Sequence, residues 1–203
     1  HLVASDENEH DEFTKHQISD YVSMCNTMQM HLGYSFLRHI LNSAGALRFK
    51  DEQFDMVRLG IGMHGFSAVS NPAFMPTVQL KTIISQIKNV SAGDTIGYSR
   101  KGVVTRNTKV ATVPIGYADG FSRKLGNGVG AMLVNGKIAQ TIGNICMDMT
   151  MLDITDIEAE EGDEVIVFGE GYPIAALAKA AATIPYEILT NMSSRIKRVY
   201  YQE

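Results

Sequence analysis

The sequence has few cysteines, no long apolar run and no excess of basic residues, and each of these shortages excludes a class of protein. Two cysteines, Cys25 and Cys146, cannot build the framework of a disulfide-rich secreted domain, so a reducing compartment, the cytoplasm, is expected. No apolar run approaches the ~20 residues of a membrane helix. The net charge of −4, without a basic cluster, argues against a nucleic-acid partner.

What remains is an ordinary globular composition, with 45% hydrophobic and 20% charged residues in a chain of 203. This length allows one large domain or two small ones. The chain begins without methionine, at His1-Leu2-Val3, in what reads as the end of a buried strand. We therefore expect a fragment of a longer protein, and the lack of a signal-like segment says little about localisation.

Residues 1–77 alternate helical and short apolar segments. Apolar residues recur at helical spacing between Ile18 and Met28, and Gly33 suits the C-terminal cap of that helix. Residues 36–41 and 56–61 are typical of strands. Helices and strands in alternation predict βα units with a parallel sheet, although the units are too few to close a barrel of eight.

Residues 78–203 follow a different pattern, which predicts a β-rich and mostly antiparallel domain. Apolar residues alternate from Val78 to Ile84, and the pair Asn135-Gly136 between two apolar runs is a strong hairpin signal. Residues 165–168 and 196–201 add strands, and an alanine-rich segment at 174–182 predicts a helix. The expected class is thus α/β followed by β.

Two segments of the first region have the composition of a phosphate site. Ser43 opens a short helix-like turn, where its hydroxyl could either bind a phosphate or act as a plain N-cap, the commoner role. Residues 60–65 have the spacing G-x-G-x-x-G, but residues 66–72 cannot begin the helix that a dinucleotide fold requires. A strand end whose backbone can approach a ligand is what remains.

Other polar residues allow a structural and a functional interpretation. Arg58 lies in an apolar segment, where a buried cation needs a partner, so an internal salt bridge competes with a role in a site. His39 has apolar neighbours and fits a hydrogen-bonded core histidine. Tyr117, in the turn at 115–120, could also be a structural residue, and residues 143–149 are similar in character.

Taken together, the motifs closely resemble those of alanine racemases. The resemblance covers the whole chain and keeps the order of the family, with six motifs: HLVAS at 1–5, NSAG at 42–45, VRLGI at 57–61, IGYADG at 115–120, ICMDM at 145–149 and TIPYE at 183–187. The C-terminal part also resembles the racemase portion of Bacteroidetes-type ligase–racemase fusions.

The resemblance implies a fold and an activity. Residues 1–77 would be the C-terminal part of a (β/α)8 barrel, and residues 78–203 the β-rich domain of a head-to-tail homodimer. The implied enzyme interconverts L- and D-alanine for peptidoglycan synthesis with pyridoxal 5'-phosphate, which serves as an electron sink. No metal, nucleic acid or membrane takes part.

The resemblance also implies a role for each site residue. Ser43, Tyr186 and the backbone of Gly60 and Ile61 would hold the cofactor phosphate. Arg58 would bond the pyridine nitrogen with His39 as its support, since a permanently charged guanidinium does not readily give up a proton.

The proton chemistry is assigned in the same way. Tyr117 would be one of the two catalytic bases, with His1 hydrogen-bonded to it beside the cofactor ring. It would reach the cofactor of the partner subunit, which makes the site composite. Met147 and Asp148 would bind the substrate carboxylate.

The sequence departs from the family pattern at two places. The lysine that binds the cofactor covalently is the second base, and Lys15, Lys50 and Lys81 lie in no motif that resembles its segment. His64 stands where the family usually has tyrosine before glycine.

Two other functions stay open from the sequence alone. A racemase for serine or lysine would use the same Tyr117 and Arg58, whereas a basic amino-acid decarboxylase would need an acidic partner at the pyridine nitrogen. A non-catalytic dimerisation module is the alternative from a different class.

We expect the isolated chain of 203 residues to have no racemase activity, because it offers no recognisable cofactor lysine. Incubation of the purified chain with pyridoxal phosphate and L-alanine, followed by chiral chromatography, should show no D-alanine above a protein-free control. Measurable turnover would contradict the expectation.

Overall fold

The computed structural model of the chain describes residues 1–67 and 74–201. The chain divides into two compact units, His1–Val78 and Gln79–Glu203, which are called the first and the second unit below. No helix in the described ranges has the length and apolar character to cross a bilayer.

A long helix, α1 (Asp11–Leu32), dominates the first unit. Its inner face buries Ile18 against Leu2, Ile40 and Leu41. Gly33 ends the helix at φ 73°, and its N–H donates to the carbonyl of Gln29 at 3.0 Å. A left-handed residue at this position favours glycine, so both the predicted helix and its predicted cap are confirmed.

The two segments predicted as strands in the first unit are extended but form no regular ladder. Only one backbone bond joins them, from Arg58 N–H to Leu41 O at 3.0 Å, and Asp55, just before the second segment, donates its N–H to Arg38 O at 3.2 Å. A parallel ladder needs an evenly spaced series of bonds, so the prediction of regular strands at 36–41 and 56–61 was wrong. Among its described residues, the remaining regular elements of this unit are α2 (Ser43–Arg48) and 3₁₀ turns at Asn8–His10, Lys50–Glu52 and Ile61–His64.

The second unit is built from antiparallel strands. They are β1 (Leu80–Ile83), β2 (Gln86–Val90), β3 (Thr95–Ile96), β4 (Gly102–Val103), β5 (Thr108–Val113), β6 (Ala131–Val134), β7 (Lys137–Gln140), β8 (Thr150–Asp153) and β9 (Glu164–Phe168). They form sheets of order β1-β9-β6-β7, β2-β5-β8 and β3-β4. Two short helices follow, α3 (Ile174–Ala180) and α4 (Pro185–Thr190).

Of two local predictions for this unit, the hairpin is confirmed and the strand at the C-terminal end was wrong. Asn135 and Gly136 connect β6 to β7 with φ of 46° and 76°, which is the geometry expected for an Asn-Gly hairpin. The strand predicted at 196–201 does not form within the described residues 196–201. That segment has no paired neighbour, and strand propensity without a partner strand does not make a strand.

The two larger sheets are joined at their edges. The chain passes from β1 to β2 through Ile84, whose N–H donates to Asp163 O at 2.9 Å, and Thr141 bridges to Leu152 of β8. Side chains such as Met132, Leu152, Val165 and Phe168 fill the interior.

The register of this unit also places two turns beside each other. Val113 at the end of β5 pairs with Thr150 at the start of β8, so the turn after β5 and the turn before β8 are neighbours.

Candidate active site

The N-cap of α2 is Asn42 and not Ser43. The side chain of Asn42 accepts the Gly45 N–H at 2.8 Å and the Ser5 hydroxyl at 2.9 Å, so Asn42 is the N-cap of α2. Ser43 itself is only 5% exposed. The Ser43 hydroxyl is therefore not the N-cap of this helix.

That hydroxyl organises the glycine-rich turn. Ser43 Oγ accepts the N–H of Gly60 at 3.0 Å and that of Gly62 at 3.3 Å. A Cβ at Gly62 would lie 3.3 Å from Ser43 Oγ, so this approach favours glycine. A hydroxyl has two lone pairs and one proton, and with both lone pairs engaged the proton is left to donate.

Ile61 lies between the two glycines and supplies a second donor. Its N–H donates to no acceptor within the described residues. Apart from its own chain neighbours, no described residue lies within 4 Å of the Cβ position of Gly60, which leaves room for a ligand there. The hydroxyl of Ser43 and the N–H of Ile61 form a donor set that fits an oxygen anion such as phosphate.

The glycine-rich segment is not a dinucleotide fingerprint. It forms a 3₁₀ turn at Ile61–His64, ended by Gly65 at φ 74°. His64 is exposed, and its carbonyl accepts the N–H of Thr77 at 3.2 Å. Part of the helix-breaking segment at 66–72 lies outside the described residues.

Arg58 and His39 are exposed, so the interpretations of Arg58 as a buried cation and of His39 as a core histidine were wrong. Arg58 Nη2 donates to the carbonyl of Ile40 at 3.0 Å. The backbone N–H of His39 donates to the Tyr21 hydroxyl at 2.8 Å. In the described parts of the chain, the other N–H groups of the Arg58 guanidinium donate to no acceptor, and no bond joins the Arg58 and His39 side chains.

His1 is exposed, and a glutamine of α1 holds the chain around it. Gln17 Nε2 donates to His1 O at 3.4 Å, and Gln17 Oε1 accepts the Val3 N–H at 3.2 Å. Leu2, between them, is buried. His1 belongs to the first unit and Tyr117 to the second.

The turn that carries Tyr117 lies tightly against the turn at 146–149. Tyr117 N–H donates to Cys146 O at 3.0 Å, and Ala118 N–H donates to Met147 O at 3.0 Å. A Cβ at Gly116 would overlap both carbonyl oxygens, so only glycine fits. Tyr117 is thereby fixed in its backbone while its side chain remains 42% exposed.

Two backbone donors lie in this second turn. Neither Met147 N–H nor Asp148 N–H donates to another group among the hydrogen bonds of the described residues. Met147 is 54% exposed. An anion can therefore approach these N–H groups, whereas the Asp148 carboxylate would repel it.

Arg195 is a residue that sequence reasoning missed. Its Nε donates to Asp119 Oδ1 at 2.7 Å and its Nη2 to Asp148 Oδ1 at 2.5 Å, so it bridges the two turns. The carboxylates of Asp119 and Asp148 raise the pKa of Arg195 further above its ordinary value. No local signal announces the contact, because Arg195 lies 76 and 47 positions from its partners.

Asp119 in turn holds the tyrosine turn from inside. Its Oδ2 accepts the Gly116 N–H at 2.8 Å. Burial opposes ionisation of this carboxyl, but hydrogen bonds from Arg195 and Gly116 N–H outweigh burial and lower its pKa below the ordinary 3.8.

Tyr98, unlike Tyr117 and Tyr186, is a tyrosine that sequence reasoning did not single out. It is 72% exposed and lies in a turn where Ser99 and Arg100 have φ of 59° and 53°. Asn144 Nδ2 donates to Tyr98 O at 3.0 Å, which ties this turn to the segment that precedes Cys146. Left-handed non-glycine residues cost of order 1–3 kcal/mol each and cluster at functional sites.

Tyr186, predicted to contact the phosphate, lies in the first turn of α4 directly after Pro185. Its side chain is exposed, and its carbonyl accepts the Thr190 hydroxyl at 2.9 Å.

In the turn at 146–149, burial raises the pKa of the Cys146 thiol, although the Arg123 cation acts to lower it.

Two surface concavities of the first unit lie elsewhere. One, of about 720 Å³, is at the C-terminal end of α1 and includes Arg38, and the other, of about 260 Å³, lies beside Arg48. Neither is lined by a predicted site residue. In each unit the candidate site residues are instead backbone N–H donors without an acceptor among the described residues.

Comparison with protein families decides the relationship. Residues 1–68 match the family model of the alanine racemase N-terminal domain, and residues 77–200 match that of the C-terminal domain. The chain belongs to the alanine racemase family. The expected fold class is thereby confirmed, since alanine racemases combine a TIM-barrel N-terminal domain with a β-rich C-terminal domain.

Individual alanine racemases match over nearly the whole chain. "Alanine racemase 2" of Caldanaerobacter subterraneus subsp. tengcongensis is 38% identical over 98% of this chain and 53% of its own length. The alanine racemase structure from Streptomyces coelicolor A3(2) has a TM-score of 0.92 at 33% identity, covering 100% of this chain and 55% of that one. This chain thus spans about half the length of the relatives it matches.

Alanine racemases depend on pyridoxal phosphate and form dimers. The structure from Bartonella henselae contains covalently bound pyridoxal phosphate, and it matches with a TM-score of 0.86 at 29% identity. It covers 99% of this chain, which covers 55% of that chain.

Replacement of Asp119 by asparagine should destabilise the protein in a pH-dependent way. The folded pKa of Asp119 lies below its ordinary 3.8, so its ionised form stabilises the fold above about pH 4, and this contribution is lost as the pH falls through the folded pKa. We expect Asp119→Asn to lower the melting temperature by a few degrees at neutral pH. The difference from the wild type should shrink in acid.

Thermal melts between pH 3 and pH 7 measure this difference, with Asp6→Asn, an exposed carboxyl, as the matched control. A difference for Asp119→Asn that is constant over the whole pH range would contradict the assignment.

Proposed function

We propose that the natural protein containing these residues is a pyridoxal-phosphate-dependent alanine racemase that supplies D-alanine for peptidoglycan. The observation that carries the proposal is the donor set of Ser43 and Ile61, which lies within residues 1–68, the part matched by the N-terminal domain model. We further propose that residues 1–77 are the last units of the barrel and residues 78–203 the β-rich domain. A cytoplasmic location remains a prediction.

Ser43 and Ile61 would hold the cofactor phosphate. Gly60 and Gly62 occupy the lone pairs of the Ser43 hydroxyl, which leaves its proton to donate, and the Ile61 N–H beside it has no acceptor among the described residues. Both are fixed by backbone contacts, so binding would need little rearrangement. Tyr186 is proposed as a third phosphate contact. When bound, the cofactor supplies an electron sink for the carbanion at the substrate α-carbon.

Arg58 would donate to the pyridine nitrogen. Its Nη2 is anchored by the Ile40 carbonyl, and the planar guanidinium has further N–H groups to offer. Because arginine stays charged, it donates a hydrogen bond without transferring its proton. His39, on the adjoining extended segment, is proposed to support Arg58 and to limit the directions it can take.

A tyrosine of the second unit would exchange the proton of the substrate. The sequence favours Tyr117, whose backbone is fixed against Cys146, while the strained turn adds Tyr98 as a rival. A tyrosine needs nearby positive charge to act as a base near neutral pH. Since the family is dimeric, the tyrosine is proposed to act at the partner subunit's cofactor.

The substrate carboxylate would be bound by the N–H groups of Met147 and Asp148. Neither N–H has an acceptor among the described residues, and the Asp148 carboxylate accepts a hydrogen bond from Arg195. A pair of consecutive N–H groups is a common site for an anion.

Racemisation by the natural protein tests the proposal. With pyridoxal phosphate present, L-alanine should be converted to D-alanine, and faster than L-serine or L-lysine is converted to its mirror image. A faster reaction with serine or lysine would make the protein a racemase of that amino acid. The absence of racemisation of all three would leave a non-catalytic module and overturn the proposal.

The two tyrosines can be separated by solvent deuterium uptake. Tyr117→Phe should slow deuterium incorporation from L-alanine by about a hundredfold or more, and slow incorporation from D-alanine far less, because a general base serves one face of the α-carbon. Tyr34→Phe, a change in the first unit, is the control. If Tyr98→Phe shows the one-sided loss instead, Tyr98 is the base, and equal losses from both isomers would contradict a face-specific tyrosine.

Ser43→Ala should weaken binding of pyridoxal phosphate by about ten- to a hundredfold, the loss expected for one hydrogen bond to a charged group. Equilibrium dialysis of the natural protein against the cofactor measures the effect. Ser85→Ala removes a hydroxyl that donates to Thr112 O at 2.9 Å in the second unit, and it should leave affinity unchanged. Equal affinities of both variants would contradict the phosphate assignment.

A further inference from the structure

Arg195 is held close to the tyrosine turn by its own segment. Ser193 N–H donates to Asp119 O at 3.2 Å, and Arg195 N–H donates to Ser193 Oγ at 3.3 Å. A Cβ at Gly120 would lie 2.5 Å from Asn191 O, which leaves no space between the segment and the turn. The backbone from which the Arg195 side chain extends is therefore fixed against the tyrosine turn.

The guanidinium fixes the distance between two carboxylates. Its Nε donates to Asp119 and its Nη2 to Asp148, and both nitrogens belong to one rigid plane. Asp119 holds the Gly116 N–H and so the Tyr117 turn, whereas Asp148 lies beside the available N–H groups of the second turn. One side chain thus connects the turn proposed to carry the base with the turn proposed to bind the substrate.

The charge of Arg195 also matters for an anionic substrate. Without it, the Asp148 carboxylate would lie next to the N–H groups of Met147 and Asp148 and would repel an incoming carboxylate. Arg195 offsets that negative charge at 2.5 Å. Its removal should therefore weaken the binding of alanine as well as loosen the Tyr117 turn.

We propose that Arg195 is a positioning residue, which aligns the Tyr117 turn with the carboxylate-binding N–H groups and neutralises Asp148. The inference rests on the proposed racemase function. A purely stabilising role is the alternative, because the Asp119 carboxylate is buried even though the Arg195 side chain is 48% exposed. The two roles differ in what they do to the kinetics of the folded protein.

Steady-state kinetics of the natural protein separate the two roles. Arg195→Gln should raise KM for L-alanine and lower kcat, each by about tenfold or more. Arg106→Gln is the matched control, because it removes another paired arginine, the two-nitrogen contact to Asp156 in the same unit. The control should change neither constant, and an Arg195→Gln variant with kinetics equal to the control would overturn the proposal.

Arg195→Lys tests the bridging geometry and provides a variant that keeps the charge. A single ammonium can neutralise Asp148 but cannot span both carboxylates in a fixed plane. We expect KM to recover partly while kcat stays low. Full recovery of both constants would overturn the positioning role.

Hydrogen exchange of the Gly116 amide provides a readout without activity. Because this N–H is bonded to Asp119, Arg195→Gln should accelerate its exchange by about tenfold, and Arg106→Gln should not. If the natural protein racemises no amino acid, the proposed function fails, yet faster Gly116 exchange would still support positioning. Unchanged exchange would overturn it.

Discussion

The pairing of Val113 with Thr150 determines where the chemistry of the second unit can lie. This antiparallel pair closes β5 onto β8 and brings two turns, far apart in sequence, into contact. The backbone of Tyr117 and Ala118 then donates to the carbonyls of the second turn, an approach that only glycine at 116 permits. The base proposed on one turn and the donors proposed on the other depend on this register, because a slip by one residue would turn each strand's side chains to the opposite face.

Both parts of the proposed site use the same device. In each unit, hydrogen bonds fix a turn and leave some of its backbone N–H groups without an acceptor among the described residues. In the first unit Ser43 fixes the glycine-rich turn and leaves the Ile61 N–H, and in the second unit the turn at 146–149 leaves the N–H groups of Met147 and Asp148. Backbone donors fixed by a scaffold bind anions without reorganisation, which suits a substrate with a carboxylate and a cofactor with a phosphate.

Local features of the fold could be predicted from the sequence because they depend on neighbouring residues. The Gly33 cap and the Asn135-Gly136 hairpin are determined by backbone conformations that few residues tolerate. The strands of the first unit could not be predicted reliably, since an apolar run does not reveal whether it will find a paired neighbour. Arg58 lies between apolar residues and yet is exposed. The sequence does not show which side of this segment faces solvent.

The site residues divide in the same way. Ser43, Tyr117, Met147 and Asp148 were nominated through family motifs, and their roles remain proposals. Arg195 had no local signal, since its two carboxylate partners are distant in sequence and only the fold brings them to one guanidinium. Tyr98 stands in a turn whose left-handed residues, unlike glycine, cannot be recognised by residue type.

A crystal structure of the natural protein grown with pyridoxal phosphate tests the central claim most directly. The account predicts that phosphate oxygens accept hydrogen bonds from Ser43 Oγ and Ile61 N, with the pyridine nitrogen facing Arg58. A cofactor whose phosphate is bound elsewhere, with the Ser43 hydroxyl and the Ile61 N–H left to solvent, would contradict it.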